Sequence, residues 1–182
     1  MKITVISGTN RPGSNSRRVA GLVEREYAGR GASTTLLDLT ELPPSLFLPA
    51  SYSQKPPEFS PFADAVVRSD GLVFVVAEYN GGFPGILKYF IDMLPFPESF
   101  EEKAAAFIGI SAGRWGALRA VEQLQGVWGY RNGYSYSRRV FIPNIRKELG
   151  ETGFTSLGTG KRIEAQSAGF MDFCRRLSEE AV

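Results

Sequence analysis

The sequence contains no histidine, and this absence removes the commonest general base near neutral pH and the commonest metal ligand. It contains a single cysteine, Cys174, so no internal disulfide can form, which suits a reducing compartment. Together these absences predict a protein with no zinc or other transition-metal site. They favour chemistry carried by a bound organic cofactor over chemistry carried by protein acids and bases.

A strong excess of charge of one sign is also absent, because 21 lysines and arginines face 19 acidic residues, for a formal net charge of +2. Such a balance gives no reason to expect nucleic acid or a membrane surface as a partner. The arginine pairs at 17–18, 138–139 and 175–176 are scattered, which is typical of solvated faces. With no apolar run of transmembrane length and no signal-peptide pattern, we expect a cytoplasmic protein.

Strand-like and helix-like stretches alternate along the chain, and the runs 71–77 and 104–110 are apolar throughout, as in strands covered on both faces. The predicted strands span 2–7, 32–39, 71–77, 104–110 and 140–142. The predicted helices span 16–29, 59–69, 84–94, 115–127 and 162–177. Five consecutive βα units predict a single α/β domain over 1–182, with a parallel sheet between two layers of helices.

Two segments depart from this alternation. Segment 40–61 holds six of the eleven prolines and is longer than an ordinary βα connection of roughly 2–6 residues. Its apolar residues favour a wall of the site or a subunit contact over a stiff surface excursion. Segment 144–160 is polar and glycine-rich, and we expect a mobile surface loop there.

The loop GTNRPGSNSRR, residues 8–18, follows the first strand and opens the first helix. Gly8 and Gly13 permit tight turns, and Arg11 carries a forked set of donors that suits a phosphate. Hydroxyl and amide groups come from Thr9, Asn10, Ser14, Asn15 and Ser16. The alternative is that these residues only cap the helix and turn a corner, but the arginine inside the loop favours phosphate binding.

The kind of phosphate ligand is narrowed by what this loop lacks. The spacing of Gly8 and Gly13 almost reproduces a P-loop, but Ser14 stands where that motif requires lysine. No G-x-G-x-x-G fingerprint for a dinucleotide follows the first strand. A phosphate monoester therefore fits better than a nucleoside triphosphate or a pyrophosphate.

Two further loops follow the third and fourth strands. The loop EYNGGFPGILK, residues 78–88, has glycines at 81 and 82 that let backbone amides approach a planar ring. Residues 109–113, Gly-Ile-Ser-Ala-Gly, match the nucleophile elbow of α/β-hydrolases. That enzyme needs a histidine to accept the serine proton, so we expect Ser111 to be a hydrogen-bonding or turn residue.

The segments GTNRPGSNSRR, EYNGGFPGILKYFID and SAGRWGALRA, in this order over the first two thirds of the chain, resemble the NADPH-dependent FMN reductase family. The family includes flavin, quinone, azo-dye and chromate reductases. Its E-Y-N-x-x-x-P-G-x-L-K element is the most specific part of the resemblance. The chain departs from the family at Ala77, Tyr89 and Trp115, which bears on the shape of the substrate pocket.

The resemblance implies a flavodoxin-like three-layer sandwich with a five-stranded parallel sheet of order 2-1-3-4-5, and non-covalently bound FMN. Residues implied at the FMN phosphate are Thr9, Arg11, Ser14, Asn15 and Ser16. Residues implied along the isoalloxazine are Glu78, Tyr79, Asn80 and Gly81. Residues implied on the far side of the ring are Ser111, Gly113, Arg114 and Trp115. For Tyr79 and Trp115, packing in the core is the alternative.

The reaction implied is hydride transfer from NADPH, or NADH, to flavin N5, followed by reduction of a small acceptor such as a flavin or a quinone. No protein acid or base is strictly required, in keeping with a chain that lacks histidine. The resemblance also implies a homodimer or homotetramer. Alternatives are a flavodoxin-type electron carrier, which is usually strongly acidic, and a non-catalytic interaction domain that kept the fold. Lys88 and Asp92, four residues apart, are expected to pair on the surface of a helix.

Overall fold

One parallel sheet of six strands lies at the centre of the computed structural model, which describes residues 1–180. The strands are β1 (Lys2–Ser7), β2 (Ser33–Asp38), β3 (Gly71–Ala77), β4 (Ala104–Ile110), β5 (Tyr134–Ser135) and β6 (Val140–Ile142). The helices are α1 (Asn15–Gly29), α2 (Ser60–Val67), α3 (Gly85–Met93), α4 (Leu118–Tyr130), α5 (Ile145–Glu148) and α6 (Leu157–Glu180). Strand and helix alternate as predicted as far as α4, after which β5 is followed directly by β6, and α5 by α6.

The strand order is β2-β1-β3-β4, with both β5 and β6 on the outer edge of β4. The predicted fifth strand is β6, which pairs with Ile108–Ile110, so the flavodoxin-like order is confirmed. The additional strand, β5, has two residues and pairs with Ala104 and Ala105. A two-residue pairing has too little periodicity to be recognised in a sequence.

Buried side chains on both faces of β3 and β4 form two cores. On one face the rings of Phe74 and Phe107 stack at 5.7 Å, and Trp128 of α4 meets Phe74 edge-on at 5.3 Å. On the other face Tyr27 of α1 meets Phe170 of α6 edge-on at 6.3 Å. Helices therefore cover the sheet on both sides, as the uninterrupted apolar strands predict.

The start of α1 is set by Ser14, whose backbone is extended and whose hydroxyl accepts a hydrogen bond from the Arg17 amide at 3.2 Å. A serine in this position satisfies one of the amides that a helix leaves without a partner in its first turn. Val19, Val23 and Tyr27 then form the buried stripe of the helix. The first loop is thus fixed to the sheet through α1.

Several boundaries differ from the prediction by one to three residues, and α6 begins at Leu157 and not at 162. Three departures concern the start of α4 and the segments 144–160 and 40–61. Helix α4 begins at Leu118 and not at 115, because Gly116 and Ala117 take positive φ angles of 60° and 67°. Segment 144–160 is not a surface loop throughout, since it contains α5 and the first turn of α6, with Ile145 buried. Segment 40–61 forms four short 3-10 turns, and Leu46 within it is completely buried.

Membrane insertion of a helix finds no support here. No helix within residues 1–180 combines the length and the apolar character needed to span a bilayer.

Candidate functional site

A cleft of about 390 Å³ opens at the carboxyl ends of β1, β3 and β4. Its wall consists of the loops that follow these strands and the start of α5. The lining residues are Arg11, Pro12, Gly13, Ser14, Asn15, Ser16, Ala77, Glu78, Tyr79, Ile110, Ser111, Ala112, Ile145 and Arg146. Larger hollows lie between α3 and α4 and at the opposite edge of the sheet. The carboxyl edge is the one at which open parallel sheets bind ligands, so the cleft is the candidate site.

The first loop presents donors to the cleft around the start of α1. Asn15 and Ser16 belong to the first turn of α1, where backbone amides have no partner inside the helix, and the helix dipole adds positive potential. The exposed Arg11 lies at the other end of the loop. This arrangement is suited to a phosphate group.

Thr9 is completely buried beneath this loop and joins it to the second loop. Its hydroxyl lies 2.8 Å from the hydroxyl of Tyr79 and also accepts a hydrogen bond from the Arg11 amide at 3.3 Å. Thr9 therefore fixes the Tyr79 side chain relative to the first loop.

The second loop is a tight two-residue hairpin turn at Asn80 and Gly81. The Tyr79 amide donates to the Gly82 carbonyl at 2.8 Å, and the Gly82 amide donates to the Tyr79 carbonyl at 3.0 Å. Asn80 and Gly81 both have positive φ, 53° and 80°, as a type I′ turn requires. The Gly82 amide, which was expected to face a planar ligand, is thus engaged within the turn.

The third loop is held against the segment that follows β6. The Ser111 amide donates to the Ile142 carbonyl at 3.2 Å, and the Ile145 amide donates to the Ser111 carbonyl at 2.9 Å. The Ser111 hydroxyl donates to the Gly113 carbonyl at 2.9 Å. Ser111 makes the hydrogen bond of a turn residue, and the described residues include no histidine that could activate it.

Arg114 and Trp115 project from the same loop into solvent. The Arg114 guanidinium lies 4.8 Å from the centre of the Trp115 ring, in cation–π contact, and Trp115 is 55% exposed. Trp115 is therefore not a core residue. Tyr79 is 39% exposed, so it does not belong to the core either.

Seven of the sequence-predicted site residues line the cleft, and six do not. Those that line it are Arg11, Ser14, Asn15, Ser16, Glu78, Tyr79 and Ser111. Those outside the lining are Thr9, Asn80, Gly81, Gly113, Arg114 and Trp115. Lys88 and Asp92, expected to pair on α3, form an ion pair at 2.6 Å.

Arg146 of α5 lines the cleft and was not predicted from the sequence. It follows β6, so the parallel topology brings it to the same edge as the other loops. With Arg11 it makes two guanidinium groups in the lining, against one carboxylate, Glu78. The net charge of the lining residues is therefore positive, which favours an anionic ligand.

The lone thiol has no place in this site. Cys174 is buried in α6, and burial raises its thiol pKa to about 12, so it is not a thiolate near neutral pH. Among residues 1–180, no group of three or more cysteine, aspartate or glutamate side chains is arranged to hold a metal ion.

Replacement of Thr9 by valine tests the link between the first two loops. Valine has nearly the same shape, but it leaves the Tyr79 hydroxyl and the Arg11 amide without their partner. We expect the free energy of unfolding to fall by about 1 kcal/mol. Urea denaturation measures this, with Tyr79→Phe as the control that removes the other hydroxyl. In the double variant the two losses should not add, and additive losses would contradict the link.

Comparison with known proteins agrees with the geometry of the cleft. The family model described as NADPH-dependent FMN reductase matches residues 1–146. An NAD(P)H-dependent FMN reductase of Pseudomonas aeruginosa is 36% identical over 132 residues, which are 69% of this chain and 68% of the relative. A quinone reductase of Pseudomonas putida is 33% identical over 128 residues, 66% of this chain and 67% of the relative.

A solved structure supports the fold independently. A flavoenzyme NAD(P)H:acceptor oxidoreductase of Paracoccus denitrificans superposes with a TM-score of 0.79 at 24% identity, covering 96% of this chain and 97% of that one. Three observations therefore point to the same family: the order of the sheet, the three strand-end loops and the family match over most of the length. The chain belongs to the NADPH-dependent FMN reductase family and is an oxidoreductase.

Proposed function

We propose that the chain binds FMN non-covalently in the cleft and uses NADPH or NADH to reduce a small acceptor, such as a flavin or a quinone. One observation carries this proposal. The capped start of α1, two arginines and the loops at Glu78–Tyr79 and Ser111 all line the same cleft. The relatives named as FMN and quinone reductases support the proposal. We propose one FMN-binding domain over 1–182, located in the cytoplasm.

The first loop fits a phosphate monoester. Gly13 has a φ of 64°, and no atom lies within 4 Å of where its Cβ would be, so the backbone is open to a ligand. Arg11 and the first-turn amides at Asn15 and Ser16 would donate to the phosphate oxygens, with Ser14 capping the helix. Thr9 would act from beneath, by holding the loop in place.

The second and third loops fit a flat ring. Ala77 and Ile110 are the last residues of adjacent strands, and both line the cleft with nearly buried side chains. Tyr79 would pack against the ring, while Glu78 and the Asn80–Gly81 turn would lie along its edge. Ser111 and Gly113 would face it from the other side.

FMN, when bound, supplies hydride acceptance from the nicotinamide and transfer to the second substrate. The chain's own part is to bind, orient and shield, and it need not supply an acid or a base. Arg114 and Trp115, as an exposed cation–π pair beside the third loop, would contact the nicotinamide coenzyme or the acceptor.

An anaerobic titration tests this function against its rivals. FMN-loaded protein mixed with NADPH should lose the flavin absorbance at roughly 450 nm, a property of the cofactor. A protein that holds FMN but keeps this absorbance with both NADPH and NADH is a flavodoxin-type carrier. A protein that cannot be loaded with FMN is a non-catalytic domain. Adding a quinone, a free flavin or an azo dye to the reduced protein then identifies the acceptor class by reoxidation.

We also propose a homodimer or homotetramer. Segment 40–61 exposes Phe47, Leu48 and Tyr52. The ring centres of Phe47 and Tyr52 lie 5.2 and 6.2 Å from that of Tyr89 in α3. Light scattering should give a multiple of the 20.0 kDa chain mass. Phe47→Ser should shift the protein towards the monomer, because it removes a half-exposed apolar ring whose packing partner is Tyr89 and not a fully buried residue. A monomeric wild-type protein would contradict the proposal.

A further inference from the structure

A second hollow, of about 220 Å³, lies outside the cleft between α1 and the turn at 149–153, and the proposed function leaves it without a role. We call it the α1 groove. Its lining residues are Arg17, Arg18, Gly21, Leu22, Arg25, Leu149, Gly150, Glu151, Thr152 and Gly153. Within the described chain, this lining carries three guanidinium groups and one carboxylate.

Two of the guanidinium groups converge above Gly21, in the middle of α1. A Cβ at Gly21 would lie 3.4 Å from Nη1 of Arg17 and 3.8 Å from Nη1 of Arg25. Like charges this close repel each other. Glycine inside a helix also makes the helix less stable than alanine would. The helix thus leaves space between two cations at Gly21, which has no side chain. Asp38 already offsets part of the charge of Arg17, and an anion seated between the two guanidinium groups would offset the remaining positive charge.

The remaining arginine and an acidic residue fix the walls. Arg18 donates from Nη2 to the Gly150 carbonyl at 2.6 Å, which ties the turn to α1. Arg17 binds Asp38 through Nε at 3.0 Å, which orients the guanidinium and leaves Nη1 on the side of Gly21. The groove is therefore held open by defined contacts, although the sequence suggested that the 17–18 pair belongs to a solvated face.

We propose that the α1 groove binds a phosphate monoester between Arg17 and Arg25. Guanidinium groups match the oxygens of such a dianion with paired, charge-assisted hydrogen bonds. The phosphate has two sources: the 2′-phosphate of NADPH or a free phosphate. The first source, the 2′-phosphate of NADPH, rests on the proposed function. In that case the groove would determine the preference of the enzyme for NADPH over NADH. The groove begins at Arg17, one residue after Ser16 of the cleft.

The first test compares coenzymes in the FMN-loaded protein. Arg25 is exposed and outside the cleft lining, and glutamine has a similar helix propensity, so Arg25→Gln should fold normally. If the source is NADPH, this variant lowers kcat/KM for NADPH by about tenfold and leaves the value for NADH unchanged. The matched control is Arg176→Gln, the same change on an exposed position of α6, which should alter neither value.

The second test measures the phosphate directly, by calorimetric titration of inorganic phosphate into the same FMN-loaded proteins. If the source is a free phosphate, Arg25→Gln weakens its affinity by about tenfold while the ratio of NADPH to NADH activity stays constant. The proposal is overturned if Arg25→Gln matches Arg176→Gln in both the coenzyme ratio and the phosphate affinity.

A failure of the proposed function gives a different result from a failure of the groove proposal. A chain that cannot be loaded with FMN contradicts the FMN proposal and still permits the phosphate titration. In that case Arg11→Ala is compared with Arg11→Ala/Arg25→Gln, so that the first loop does not contribute. Equal phosphate affinity of these two variants would overturn the groove.

Discussion

Arg11→Ala is expected to weaken FMN binding by about ten- to a hundredfold, the effect of one charge-assisted hydrogen bond to a phosphate. Arg11 is exposed at the rim of the first loop and has no part in the core, so the variant should unfold at the same urea concentration as the wild type. Quenching of flavin fluorescence during titration gives the affinity.

A matched ligand makes this test specific. Riboflavin has the same ring and ribityl chain but no phosphate, so its affinity should be equal in the wild type and in Arg11→Ala. The phosphate assignment is wrong if the two ligands lose affinity equally, since Arg11 would then act through the ring or the loop conformation. Arg146→Ala, tested in the same way, asks whether the second guanidinium of the cleft contributes to the same phosphate.

The fold could be predicted largely because its strands and helices carry strong periodic signals. The runs 71–77 and 104–110 match β3 and β4 to the residue, and both are buried at every position. The start of α4 could not be predicted in this way. Gly116 and Ala117 are left-handed because the loop folds back onto β6, a contact made between residues far apart in the chain.

Features of the candidate site that consecutive residues form could be predicted from the sequence. Features that depend on the topology of the sheet could not. Ser14 caps α1 in a pattern that a few consecutive residues reveal. The turn at Asn80–Gly81 is equally local and was not predicted, although Asn-Gly is the strongest short signal for a type I′ turn. Arg146 could not be predicted, because only the position of β6 at the sheet edge brings it to the cleft. The convergence of Arg17 and Arg25 likewise needs the helix and its side-chain directions.

Gly109→Ala is expected to have the largest effect on stability, because the third loop lies directly on this residue of β4. A Cβ there would collide with the Gly116 carbonyl oxygen and lie 3.0 Å from the Phe141 ring. Gly116 itself lies close against β6, since a Cβ built on it would be 2.9 Å from the Ile142 amide nitrogen. Because the obstacle is backbone and not a flexible side chain, we expect a loss of about 3 kcal/mol in the free energy of unfolding.

Urea denaturation of Gly109→Ala should be compared with Gly129→Ala, in which no atom lies within 4 Å of the new Cβ. Alanine at this exposed position of α4 should be neutral or stabilise the protein by up to about 1 kcal/mol. FMN affinity should also fall in Gly109→Ala, because displacing Gly116 shifts the loop that carries Ser111 and Trp115. A variant as stable as the wild type would mean that the third loop is not seated on β4. The far wall of the cleft would then be free to move, and the affinity for FMN would rest on the first two loops.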